Sequence, residues 1–156
     1  MAEYSASATQ TVNPGESIIF DVTNDFNQNG SIFHRDGTGE FLISGGQRNR
    51  SGCCYCRRNN NAREVLTAFG ANIAVPTGGT VGAISVAFAI DGATVPYTTM
   101  TVTPAAVEEF FNVSRVSSVP IFRGCCQSIT IRNISDQPIT VSNPTVAFPR
   151  MNGGVL

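Results

Sequence analysis

Apolar and polar positions alternate with a period of two along most of this chain. The alternation is plainest in residues 81–90, where Gly82, Ile84, Val86, Phe88 and Ile90 interleave with Val81, Ala83, Ser85, Ala87 and Ala89. One face of that strand is large and apolar, and the other is small. An apolar run at residues 68–75 precedes it, the turn Pro76-Thr77-Gly78-Gly79 separates the two, and Asp91-Gly92 closes the second. This punctuation predicts a central β-hairpin. A solvent face would carry Lys, Glu or Thr, so the small face predicts a surface that another sheet or subunit approaches closely.

The same pattern predicts strands over residues 17–22, 40–44, 112–119, 127–133 and 139–148, with a short one at 31–35 and an Asn- and Asp-rich loop over 23–30. Residues 93–102 read as a Thr-rich strand that Pro96 confines to an edge or bulge. The one helical signal is Thr103 as N-cap with Pro104 at the first helical position, which predicts a turn or two reaching Phe111. About eight to ten short strands with turns roughly every 8–12 residues mean an all-β sandwich or barrel, with the jelly roll as the leading form. Residues 1–11 read as a polar arm, 12–150 as the domain and 151–156 as a tail.

Residues 45–62, GGQRNRSGCCYCRRNNNA, break this rhythm. With almost no aliphatic content the segment cannot supply a core strand, and it reads as a long exposed loop. Arg48, Arg50, Arg57, Arg58 and the adjoining Arg63 make it locally basic, either as a solvated loop or as a device that grips an acidic partner. Cys53, Cys54 and Cys56, with Cys125 and Cys126, are the most pointed cluster. Their spacing differs from paired zinc knuckles, so metal binding, a disulfide and free thiols all stay open.

Charged residues are only 13% of the 156, against roughly 25% in ordinary domains. The exposed surface is therefore unusually small or unusually neutral, as burial between subunits would make it. A net charge of -1 excludes a generally basic nucleic-acid binder. The ten cations are all Arg, a residue suited to planar pairing at interfaces. The opening residues lack the basic start and apolar core of a secretory leader, so synthesis in the cytosol is expected. No apolar run approaches the ~18 residues of a membrane-spanning helix. His34, the single histidine, has no evident catalytic partners, and Glu108-Glu109 would splay apart on a helical turn. No cofactor is expected. The sequons at Asn112 and Asn133 carry no information without a secretory route. The aromatic residues Phe88, Tyr97, Phe110, Phe111 and Phe148 are more than one sandwich of this size readily hides, and they are the candidates for a subunit interface.

Three stretches, GTGEFLI (37–43), AFGANIAVPTGGTVGAISVAFAIDGATV (68–95) and ITIRNISDQPITVSNPTVAF (129–148), resemble the tumour necrosis factor/complement globular-head superfamily in its bacterial and phage branch. Heads of spore-surface collagen-like proteins and phage-associated proteins of gut Firmicutes are similar. The resemblance implies a ten-stranded jelly roll that forms a compact homotrimer and binds or scaffolds. It implies a virion component, such as a head decoration or fibre protein, with capsid or other virion proteins as partners. The alternative it allows is a carbohydrate- or receptor-binding head on a bacterial or spore surface. Residues 45–62 are longer and richer in Cys and Arg than the resemblance implies.

Overall fold

The structure, a computed structural model, describes residues 1–25, 32–43, 63–121 and 127–149. They form a jelly-roll sandwich of two antiparallel sheets. The strands are β1 (Ala2–Ser5), β2 (Gln10–Val12), β3 (Val22–Asp25), β4 (Ile32–His34), β5 (Phe41–Ile43), β6 (Arg63–Ala74), β7 (Ile84–Ile90), β8 (Ala93–Thr94), β9 (Met100–Val102), β10 (Phe111–Ile121), β11 (Gln127–Asn133) and β12 (Ile139–Phe148). One sheet runs β10-β6-β12-β1-β3, with β2 also on β12; the other runs β4-β5-β11-β7-β8, with β9 also on β7. Among the described residues no helix is long and apolar enough to cross a membrane.

The core lies where the inward faces meet. Phe20, Phe41, Phe88, Ile73, Ile84, Ile129, Ile131 and Ile139 are fully enclosed there. Tyr4, Phe20, His34, Phe41 and Phe148 pack as an aromatic group, with Tyr4 and Phe41 centroids 5.0 Å apart and Phe41 and Phe148 5.2 Å apart.

Several expectations are corrected. The two central apolar runs are not a hairpin. β6 pairs with β10 and β12, while β7 pairs with β8, β9 and β11, so residues 75–83 carry the chain from one sheet across to the other. Both runs still face the core. Residues 1–11 are no free arm, because β1 lies between β12 and β3 and buries Ala2 and Tyr4. Residues 17–20 form no regular ladder, only the isolated bridges Ser17–Arg132 and Phe20–Thr38, and the regular strand there is β3, which extends into the expected loop.

No helix forms between Thr103 and Phe111. Glu108 has φ +58°, its amide donates to the Val75 carbonyl, and its carboxylate accepts from the Thr77 amide; Glu109 accepts from the amides of Ala105 and Ala106. These side chains take donors that a helix would leave free and tie the loop to residues 75–77. The helical turn present is a 3-10 turn, Pro96–Thr98, which interrupts the expected 93–102 strand.

Candidate assembly interface

Strand β10 ends its sheet. It pairs along its whole length with β6, from Phe111 opposite Ile73 to Ile121 opposite Arg63, and among the described residues no strand pairs with its other side. A long open edge is normally protected by Lys, by a bulge or by Pro. This one has Pro120 near its end and Arg115, whose Nε donates to the Ser117 hydroxyl at 2.9 Å. Four exposed apolar side chains lie along it. Val116 is 64% exposed, Phe110 and Phe111 stand at its start, and Tyr97 is 53% exposed while its hydroxyl donates to the Ser118 carbonyl at 3.1 Å.

The outward face of the same sheet is neutral and built of small residues. Cross-strand register sets Val116, Ala68 and Ala147 in one row, Ser114, Gly70 and Thr145 in the next, and Asn112, Asn72 and Ser142 in a third. The Asn112 amide donates to Asn72 Oδ1 at 3.2 Å, which continues the third row as a side-chain ladder. None of the nine is charged. Such a face costs little to desolvate and has no long side chains to hold a neighbour away.

The small face of β7, by contrast, is closed within the single chain. Ala87 and Ala89 have no exposed surface. Arg132 stands opposite Ala87, and its guanidinium lies 3.6–4.0 Å from where a side chain on Gly92 would begin. The arginine lies across the alanines as a roof. Two of the five aromatic candidates are corrected with it: Phe88 is a core residue and Phe148 is 2% exposed, because both point to the inward face. Tyr97, Phe110 and Phe111 are exposed. The sequence reading passed over Val116, although its place between Ser114 and Ser118 in a period-two strand marks it as an outward apolar residue.

The remaining candidate chemistry is occupied. His34 Nδ1 lies 2.9 Å from the Glu40 carbonyl and Nε2 lies 3.0 Å from the Phe20 carbonyl, with the ring stacked on Phe41 at 4.4 Å. Both ring nitrogens face backbone carbonyl oxygens, and neither faces a carboxylate or a hydroxyl. The Tyr4 hydroxyl is pushed up by burial, then by Asp36 and Asp25. Asn133 is fully buried, which closes that sequon; Asn112 is exposed. Among the described residues no three His, Cys, Asp or Glu side chains come together as a metal site. Arg48, Arg50, Arg57 and Arg58 and Cys53, Cys54, Cys56, Cys125 and Cys126 lie outside the described residues, as does the side chain of Arg63. The residues flanking those segments converge: Ile43 is opposite Gln127, and Arg63 is opposite Ile121.

No protein-family model matches the sequence, and no curated protein matches it. Among solved structures, the globular domain of zebrafish complement 1qA protein superposes with a TM-score of 0.55 at 10% identity, covering 97% of this chain and 98% of that one. PRD1 vertex protein P5 gives 0.47 at 8% identity over 96% and 97%. A Clostridium thermocellum xylanase with CBM22-1 and GH10 modules gives 0.37 at 11% identity over 95% of this chain and 26% of that one. The first likeness shows the fold, a complement-head jelly roll.

Proposed function

We propose that this chain is a non-enzymatic structural or adhesive head that works as a homotrimer. The observation that carries the reading is the pairing of two unlike surfaces on one subunit. The open β10 edge bears Tyr97, Val116, Phe110 and Phe111, and beside it lies a broad neutral sheet face with nothing covering it among the described residues. An edge that packs on the next subunit's face makes a heterologous contact, and such a contact closes when the rotation per subunit divides the circle. A ring of three agrees with the fold and with the shortage of charge. The engagement of His34 with two carbonyls, and of Glu108 and Glu109 with backbone amides, supports a role without catalysis.

The setting we propose is a virion, where the head would be a decoration or fibre protein held by partner virion proteins. Neutral surfaces suited to packing support it, and so does the sequence resemblance. Val116→Arg tests the assembly. It should give a monomer with an unchanged far-ultraviolet spectrum, since Val116 is exposed and a charge there must be desolvated on association. A Val116→Arg protein that keeps the parent mass overturns the reading. The virion setting is tested separately: the chain should stay with particles through a density gradient.

A further inference from the structure

One end of the sandwich is formed by the loops at residues 13–16, 75–83, 103–110 and 134–138. They are bound to one another: Gln137 donates to the Thr80 carbonyl at 2.7 Å and accepts from its amide at 2.9 Å, and Glu108 accepts from Thr77. The Gly15 amide donates to the Asn133 carbonyl at 2.8 Å. This end carries exposed Val81, Val107, Phe110 and Ile134. It also carries Glu16, Glu108, Glu109 and Asp136, and these four loops contain no Arg or His. The carboxylates that are hydrogen-bonded have neutral partners, so their charge is uncompensated.

The opposite end is bounded by the other set of strand ends. Asp25 and Ile32, Ile43 and Arg63, Ile121 and Gln127, and Phe148 all stand there, because each closes the far end of its strand. The sequence between and beyond those residues holds Arg48, Arg50, Arg57, Arg58, Arg123 and Arg150 and no acidic residue. Among the described residues those strand ends carry Glu3, Asp25 and Asp91, so the complementary positive charge is a property of the intervening sequence alone.

We infer that the acidic, apolar end is a docking surface for residues 44–62 of a second copy, so that heads stack end to end. The inference rests on reading the arginines of that segment as contact residues. Charge complementarity selects the occupant: four Arg without an acid, against four carboxylates without a cation. The exposed aliphatic side chains of Val81, Val107 and Ile134 give the guanidinium planes a surface to lie on. The contact joins two different surfaces, so each copy that docks offers the next copy a free end.

Sedimentation velocity of the full chain at ~20 mM and ~500 mM salt tests this, because screening shortens the reach of such charges from roughly 20 Å to about 4 Å. The weight-average mass should rise at low salt to at least about twice its high-salt value and grow with concentration. The double variant Glu16→Gln/Asp136→Asn should abolish the rise. It spares Glu108 and Glu109, whose carboxylates hold loop amides. Two charge-reversed proteins, Glu16→Arg/Asp136→Arg and Arg57→Glu/Arg58→Glu, should each remain at the high-salt mass alone and regain the low-salt rise when mixed. A wild-type mass independent of salt overturns the inference, as does a rise that survives Glu16→Gln/Asp136→Asn. The high-salt mass itself reports the trimer, so the two readings fail separately.

Discussion

The side-chain amide of Asn133, the last residue of β11, donates to the carbonyl of Val12, the last residue of β2, at 2.9 Å and so links one sheet to the other. The same amide donates to the Gln137 carbonyl at 2.9 Å, and Asn133 Oδ1 accepts from the Ser135 amide at 2.8 Å. Asn133 has no exposed surface. Asn133→Leu keeps the volume and strands three backbone groups, so it should cost on the order of 3 kcal/mol. Urea unfolding of the two proteins measures this. A loss under ~1 kcal/mol would mean that water replaces the amide.

A pair of glycine substitutions separates packing from backbone freedom. A side chain on Gly39 would begin 2.5 Å from the Ile18 carbonyl oxygen and 2.6 Å from Ser17 Cβ, whereas nothing lies within 4 Å at Gly82. Gly39→Ala must displace backbone and should lower stability by about 1–3 kcal/mol. Gly82→Ala should stay within ~0.5 kcal/mol of the parent. Equal effects at the two sites, read from urea midpoints, would contradict the close approach of residues 17–18 to Gly39.

Acid should weaken the fold through two aspartates. Asp21 is held below the ordinary aspartate range by the Ser7 hydroxyl, then by the Ser7 amide; Asp91 is held low by the Ser128 amide, then by the Gln127 side chain. Each carboxyl binds its proton less readily folded than unfolded. Its contribution is therefore present above the ordinary aspartate value and lost as pH falls through the lower folded one. Unfolding midpoints should be flat above ~pH 5 and fall below ~pH 4, with a shallower fall in Asp21→Asn and Asp91→Asn. An unchanged slope in both variants would remove these contacts from the cause.

Deleting residues 48–61 and joining the ends with a short Gly-Ser link should leave the melting temperature unchanged, since Ile43–Gln127 and Arg63–Ile121 hold the flanks in separate ladders. Loop shortening of this size alters closure entropy by less than about 1 kcal/mol. A cross-link from Cys53, Cys54 or Cys56 to Cys125 or Cys126 predicts the opposite, a loss of ~2–5 kcal/mol that reductant reproduces in the parent.

Strands β11 and β12 were legible to the residue, because Gln127–Asn133 and Ile139–Phe148 alternate cleanly between turns. The partner of β6 was not. Pro76-Thr77-Gly78-Gly79 serves a sheet crossing as well as a hairpin, and the ladder that decides between them comes from Phe111–Ile121, over thirty residues away. β1 was hidden because Ala2 and Tyr4 are its only inward residues, set among Glu and Ser. The β7 small face was expected to meet another sheet or subunit; Arg132 of the adjoining strand covers it instead, which depends on β11 lying alongside and which no local pattern states. Of the proposed assembly surface, the sequence offered Tyr97, Phe110 and Phe111 as exposed candidates, while its neutral rows exist only once β6, β10 and β12 are side by side.

The trimer is tested most directly by light scattering on the eluting protein at high salt and micromolar concentration, where end-to-end contacts are screened. The expected mass is three times the 16.5 kDa of one chain, falling to one chain in Val116→Arg. A wild-type mass of 16.5 kDa under the same conditions would contradict it.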